Sequence, residues 1–191
     1  MVGNTPNYGR FDIIRALIFI DKNVSRLRLK QLLGVGEGTV RSILDILKRK
    51  KLIISTQKGH SLAKSGQLLA NKLKRSFELR SFSSKNIYAS CKKAALLVKG
   101  AAKKGIGYME RDIAVKNGAE GAMLFIYSNS RLAMPQMKGV SFKELEKLFE
   151  YKKGDILIIT FAETPRHAEN SALAVGLSIR NPLSSSAYAL R

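Results

Sequence analysis

The chain has 191 residues, 45% of them hydrophobic, with 34 Lys and Arg against 14 Asp and Glu, one cysteine, two histidines, no tryptophan and four prolines. That length and apolar content allow one or two domains with real cores, which excludes a disordered or collagen-like chain. A lone cysteine, Cys91, excludes an internal disulfide framework, and the longest apolar runs fall far short of the roughly 18 residues of a membrane span, so a cytoplasmic protein without a membrane partner is expected. The net charge is +20, and residues 1–80 hold 17 Lys and Arg against 5 acids while the longer remainder holds 17 against 9. An excess of this size repels itself in the folded state, and its commonest partner is a phosphate backbone.

In chain order, residues 10–20 repeat apolar side chains at Phe11, Ile14, Leu17 and Ile18, which predicts a helix with one buried face. Asp21-Lys22-Asn23 breaks it, and Ser25 stands as N-cap for a short helix over 26–33 with Leu29, Leu32 and Leu33 inward. Gly34-Val35-Gly36 then supplies the short glycine-containing turn of a helix-turn-helix. A third helix over 37–51 buries Val40, Ile43, Leu44 and Leu47 and offers Thr39, Arg41, Ser42, Asp45, Lys48 and Arg49 on its other face. Small hydrogen-bonding residues followed by Arg suit a major groove, since Arg reaches guanine edges and hydroxyls reach phosphate. Two short extended runs, 52–56 and 60–62, flank a Lys-Gly turn and read as a β-hairpin. Beyond them a fourth helix opens, with Leu69, Leu73 and Phe77 on one side.

Three helices, a hairpin and a helix in this order resemble the winged-helix DNA-binding domain of prokaryotic transcriptional regulators. The stretch “GVGEGTVRSILDIL” at 34–47 looks like that family's turn and recognition helix. The stretch “LIISTQKGHSLAKSG” at 52–66 looks like its wing leading into the last helix, with Ala63 where many members carry Thr. The resemblance places Thr39, Arg41, Ser42 and Lys48 on recognition positions and Lys58 and His60 on the wing, and implies that Ser25, Arg26 and Arg28 touch phosphates. A winged helix that only docks protein would favour a neutral or acidic third helix, whereas this one ends Lys48-Arg49-Lys50-Lys51.

The Ser-rich stretch 81–86 reads as a linker between a winged-helix domain over 1–80 and an α/β domain over 87–180, and the tail 181–191 reads as frayed or disordered. In the second domain extended runs are expected at 86–90, 93–99, 122–127 and 155–161. Helices are expected at 108–117, after Ser141 with Glu144 at capping-box spacing, and at 165–179. Strand–helix alternation with continuous apolar strands predicts a small, mostly parallel sheet, giving an α+β chain overall. Small molecules favour the carboxyl ends of such strands, which makes Lys99, Asn129, Arg131 and Glu163, with Arg111 and Asp112 on the nearby helix, the candidate ligand-binding residues.

The loop 100–107 starts like a nucleotide loop, but Ile106 and Gly107 follow Gly105 where Lys and Ser or Thr would be needed, and Glu110 stands where a dinucleotide fingerprint needs Gly. No metal-ligand spacing, nucleophile elbow or catalytic constellation is visible, so no metal, cofactor or catalytic residue is expected. Cys91 reads as a buried strand cysteine or, beside Lys92 and Lys93, as a thiol of lowered pKa. With the stretch “ERDIAVKNGAEGAMLFIY” at 110–127, the whole chain is similar to an uncharacterised group of archaeal winged-helix proteins. The expectation is a regulator that binds double-stranded DNA as a homodimer, its second domain sensing a small-molecule effector or dimerising. A small α/β enzyme with an accessory winged helix, or an RNA-associated or scaffold protein, are the alternatives.

Overall fold

The computed structural model describes residues 7–102, 106–135, 137 and 142–180. The chain divides into two compact units, one ending at Lys74 and the other running from Arg75. The expected tail 181–191, the cap Ser141 and residues 103–105 of the glycine loop lie outside the described residues.

In the first unit, α1 (Arg10–Phe19), α2 (Arg26–Leu33) and α3 (Glu37–Arg49) pack around Ile14, Leu17, Leu29, Leu33, Val40, Ile43 and Leu47. Local chemistry bounds α2 at both ends. Ser25 accepts the Arg28 N–H at 3.1 Å and caps α2, whose far end is closed by Gly34 in the left-handed region at φ 65°. A residue with no sequence signal fixes the helix packing: Arg15, fully buried on α1, donates to the carbonyls of Leu33 at 3.1 Å and Leu32 at 3.2 Å and faces Asp12 at 3.4 Å. It therefore satisfies carbonyls that the end of α2 would leave unpaired. Strands β1 (Ile53–Thr56) and β2 (Gly59–Leu62) form the expected antiparallel hairpin, and Val24 exchanges both backbone hydrogen bonds with His60 at 2.9 Å. α4 (Lys64–Ser76) follows.

Phe77, expected on the side of that fourth helix, opens β3 (Phe77–Phe82) instead, so Ser81 and Phe82 of the expected linker are strand residues. The second unit is built on five strands in the order β3-β4-β7-β5-β6, every neighbouring pair antiparallel, where β4 is Lys92–Val98, β5 Gly121–Ser128, β6 Arg131–Ala133 and β7 Ile156–Ala162. This corrects the mostly parallel sheet. Strands β4 and β5 do run parallel and are linked through α5 (Tyr108–Lys116), but β7 is threaded between them in the opposite sense. The apolar runs in β4 and β7 have a different cause from parallel pairing: both faces are covered. One carries α5 and α7 (Pro165–Arg180), and the other carries Ile87, Leu145, Phe149 and Leu132 over Ala95, Leu97, Phe125, Leu157 and Ile159. The run expected as a strand at 86–90 is a loop that turns at Tyr88, φ 37°, and the helix after 141 is the short α6 (Lys143–Glu146).

Helix α7 approaches the sheet through Ala168, Ala172 and Gly176, and a β-carbon at Gly176 would strike the Leu96 side chain. Among the described residues, no helix is long and apolar enough to cross a membrane.

Candidate nucleic-acid interface

The amphipathic period of α3 turns Val40, Ile43, Leu44 and Leu47 inward, which forces the intervening positions to the solvent side. Arg41, Asp45, Lys48 and Arg49 are exposed there, and Thr39 and Ser42 are half-buried. Ser42 Oγ donates to the Gly38 carbonyl at 3.1 Å, so its oxygen retains acceptor capacity while its proton is used. Arg41 lies 3.9 Å from Glu37 with both side chains more than 60% exposed, an ion pair that solvent screens and that leaves the guanidinium available. Gly36 and Gly38, at the start of α3, have nothing within 4 Å of where a β-carbon would stand, so the backbone there is open to close approach.

The two elements that pack on α3, α2 and the hairpin, also carry exposed cations. Arg26 and Arg28 are exposed in the first turn of α2, where Ser25 is occupied as the cap, and Arg28 lies 3.5 Å from Gln31 Oε1. Lys58 is exposed at the tip of the hairpin, its N–H donating to Thr56 Oγ1 at 3.2 Å. His60, expected to point outward from the wing, is instead only 8% exposed, with Nδ1 2.7 Å from Ser55 Oγ. Its place is fixed by the backbone bridge to Val24, a pairing too short to leave a period in the sequence. Burial first, then the positive charges of Lys48 and Arg26, hold the His60 pKa below its ordinary value. The imidazole thus registers the field where α2, α3 and the hairpin converge.

The six expected ligand residues do not converge, because an antiparallel sheet sends strand ends to opposite edges. Lys99 follows β4 on one edge, 3.7 Å from Glu78, with its carbonyl taking a bond from Arg180 at 2.9 Å. Asn129, at φ 50°, is a turn residue between β5 and β6 on that same edge, and Arg131 is the first residue of β6. Glu163 follows β7 at the opposite edge, exposed. Arg111 and Asp112 are exposed on α5, and Arg111 borders a cavity of about 310 Å³ with Tyr88, Met123 and Phe161. Cys91 is buried and donates to Glu120 at 3.2 Å. No cluster of His, Cys, Asp and Glu able to hold a metal occurs among the described residues.

A cavity of about 600 Å³ that sequence reasoning missed lies beside the start of β4, lined by Ser81, Lys85, Ser90, Lys93 and Pro165 among others. Its lining comes from residues 81–85 and 89–93 and from the distant Pro165, so no local motif could have signalled it.

Residues 11–68 match the family described as the PH0730-like N-terminal domain, and residues 89–179 match a domain of unknown function (DUF4443). No curated protein matches the chain. Among solved structures, the hypothetical protein PH0730 from Pyrococcus horikoshii OT3 is similar at 27% identity and a TM-score of 0.81, over 96% of this chain and 100% of that one. The chain is therefore similar, in both of its units, to an uncharacterised archaeal group.

Proposed function

We propose that residues 10–76 form a winged helix-turn-helix that binds duplex DNA, with α3 in the major groove, and that the protein is a transcriptional regulator working as a homodimer on two half-sites. The observation that carries this reading is the solvent face of α3, which presents Arg41 and the Thr39 and Ser42 oxygens with Lys48 and Arg49, while α2 and the hairpin, both packed on α3, add exposed Arg26, Arg28 and Lys58. Arg41 and the hydroxyls read bases, while Arg26, Arg28, Lys48 and Lys58 hold phosphates and set register. The second unit senses a small molecule or dimerises.

The test is selection of bound fragments from genomic DNA, followed by titration of the winning site and of random duplex. Replacing Arg41 by Ala should cost about 1–3 kcal/mol on the selected site and much less on random duplex. Lys58→Ala should weaken both duplexes equally. If both variants lose the same affinity on both duplexes, the division between reading and holding is wrong; if neither duplex binds in dilute buffer, the function is wrong.

A further inference from the structure

We infer that the second unit holds a small phosphate-bearing molecule in the cavity beside the start of β4, with Lys93 as the buried counter-cation. The inference gives a chemical class to the effector of the reading above. It rests on that reading only for its regulatory consequence and not for the binding itself.

The cavity measures about 600 Å³, the size of a metabolite site. Its eleven lining residues include three lysines and four serines and no acid. Lys93 is the informative one. Its side chain is 5% exposed, its ammonium donates to the Cys91 carbonyl at 2.8 Å, and among the described residues no carboxylate pairs with it. An ammonium has three donors and a full charge, and burial of both demands acceptors and a counter-ion. One carbonyl supplies a single acceptor and no charge. Lys85 and Lys92, both exposed, add charge at the mouth, and the first turn of the sixteen-residue α7 reaches the cavity at Pro165 with the positive end of its dipole.

The serines narrow the ligand further. Ser81 Oγ donates to Glu169 at 2.7 Å and Ser84 Oγ donates to Glu144 at 3.1 Å. With their protons committed to carboxylates, these two hydroxyls can only accept from a ligand, Ser84 through the one lone pair left beside the Asn86 N–H that it already accepts at 3.1 Å. The lining therefore offers ammonium donors for an anion and serine acceptors for hydroxyl groups. A phosphate ester of a polyol, such as a sugar phosphate, matches both halves. An apolar acid or a bare inorganic anion matches one.

Backbone amide NMR of the full chain tests this, titrated at physiological salt with ribose 5-phosphate, inorganic phosphate, ribose and additional chloride. Ribose 5-phosphate should move the amides of 81–93 and the first turn of α7 in a saturable way. Inorganic phosphate should move the same amides more weakly, and ribose and chloride should leave them in place. Lys93→Met should weaken ribose 5-phosphate about tenfold or more, which is the loss of one charge-assisted contact. Lys85→Gln with Lys92→Gln, at exposed positions, should weaken it with the fold intact, and this double variant decides the matter should Lys93→Met unfold.

Shifts confined to α2 and α3, shifts reproduced by chloride, or affinity unchanged in the folded variants would overturn the inference. Duplex binding is read in a separate titration, so failure of the ligand site and failure of the DNA reading are told apart.

Discussion

Gly66 shows how a single residue can be legible in sequence while its reason is not. It stands at the glycine of the segment that resembles a wing leading into a helix, and the structure supplies the cause: a β-carbon at 66 would land in the carbonyl of Leu52. That carbonyl also accepts the Ala63 N–H at 2.9 Å, so strand entry and helix start are stacked on one peptide. Because the obstacle is backbone and not a flexible side chain, Gly66→Ala should cost about 3 kcal/mol or more, read as faster native-state hydrogen exchange of α3 amides. Ala63 makes the opposite case. It occupies the position before the first residue of α4, where an oxygen could accept an orphan N–H and a methyl cannot. Ala63→Thr should therefore stabilise the first unit by about 1 kcal/mol in the same measurement, and no gain would mean that the α4 amides already have other partners.

At the scale of elements, α3 was readable because it buries one face and α2 because Ser25 and Gly34 bound it, whereas α1, expected to bury one face, is buried at every residue from Phe11 to Leu17. The sheet of the second unit was half readable. The apolar runs of β4, β5 and β7 gave the strands, but the same runs arise in any sheet covered on both faces, so they did not give their direction. β6 is three residues long, and β3 is continuous in pattern with the helix before it, so neither left a period to find. The expected grouping of ligand residues depends on that direction: Lys99 and Glu163 share one side only if the strands are parallel, and here they lie at opposite ends of the sheet.

His60 missed for a different reason, since its inward turn depends on Val24, 36 positions away. Its position makes it a reporter. With its pKa held below the ordinary 6.5 in the folded chain, the imidazole stays neutral there while the unfolded chain protonates first. The stability it contributes is complete above pH 6.5 and is lost as pH falls below that value, and His60→Gln should flatten this part of the pH dependence. If duplex DNA binds against Lys48 and Arg26, it cancels part of the field that lowers this pKa, so the NMR titration of His60 should move upward on adding duplex. An unchanged titration would place the duplex elsewhere.

For the whole molecule the governing quantity is the charge of +20, which a folded chain carries against its own repulsion. Not all of it can be specific to one partner, since 17 basic residues lie beyond position 80 and three of them line the ligand cavity. Salt dependence separates the shares. If Arg26, Arg28, Lys48 and Lys58 each displace one counterion, a single head should give a slope of log K against log salt of about −4, and a dimer on two half-sites about −7. A diffuse cationic surface predicts instead a slope that is the same for a selected site, random duplex and single-stranded RNA, with no step in affinity when one half-site is deleted. Measuring the slope on a full site, on a half-site and on RNA therefore tests partner, stoichiometry and interface together. A half-site slope near half that of the full site, with RNA bound more weakly at every salt, is the outcome expected. Equal slopes on all three would leave the charge as a general polyanion trap and remove α3 from any special role.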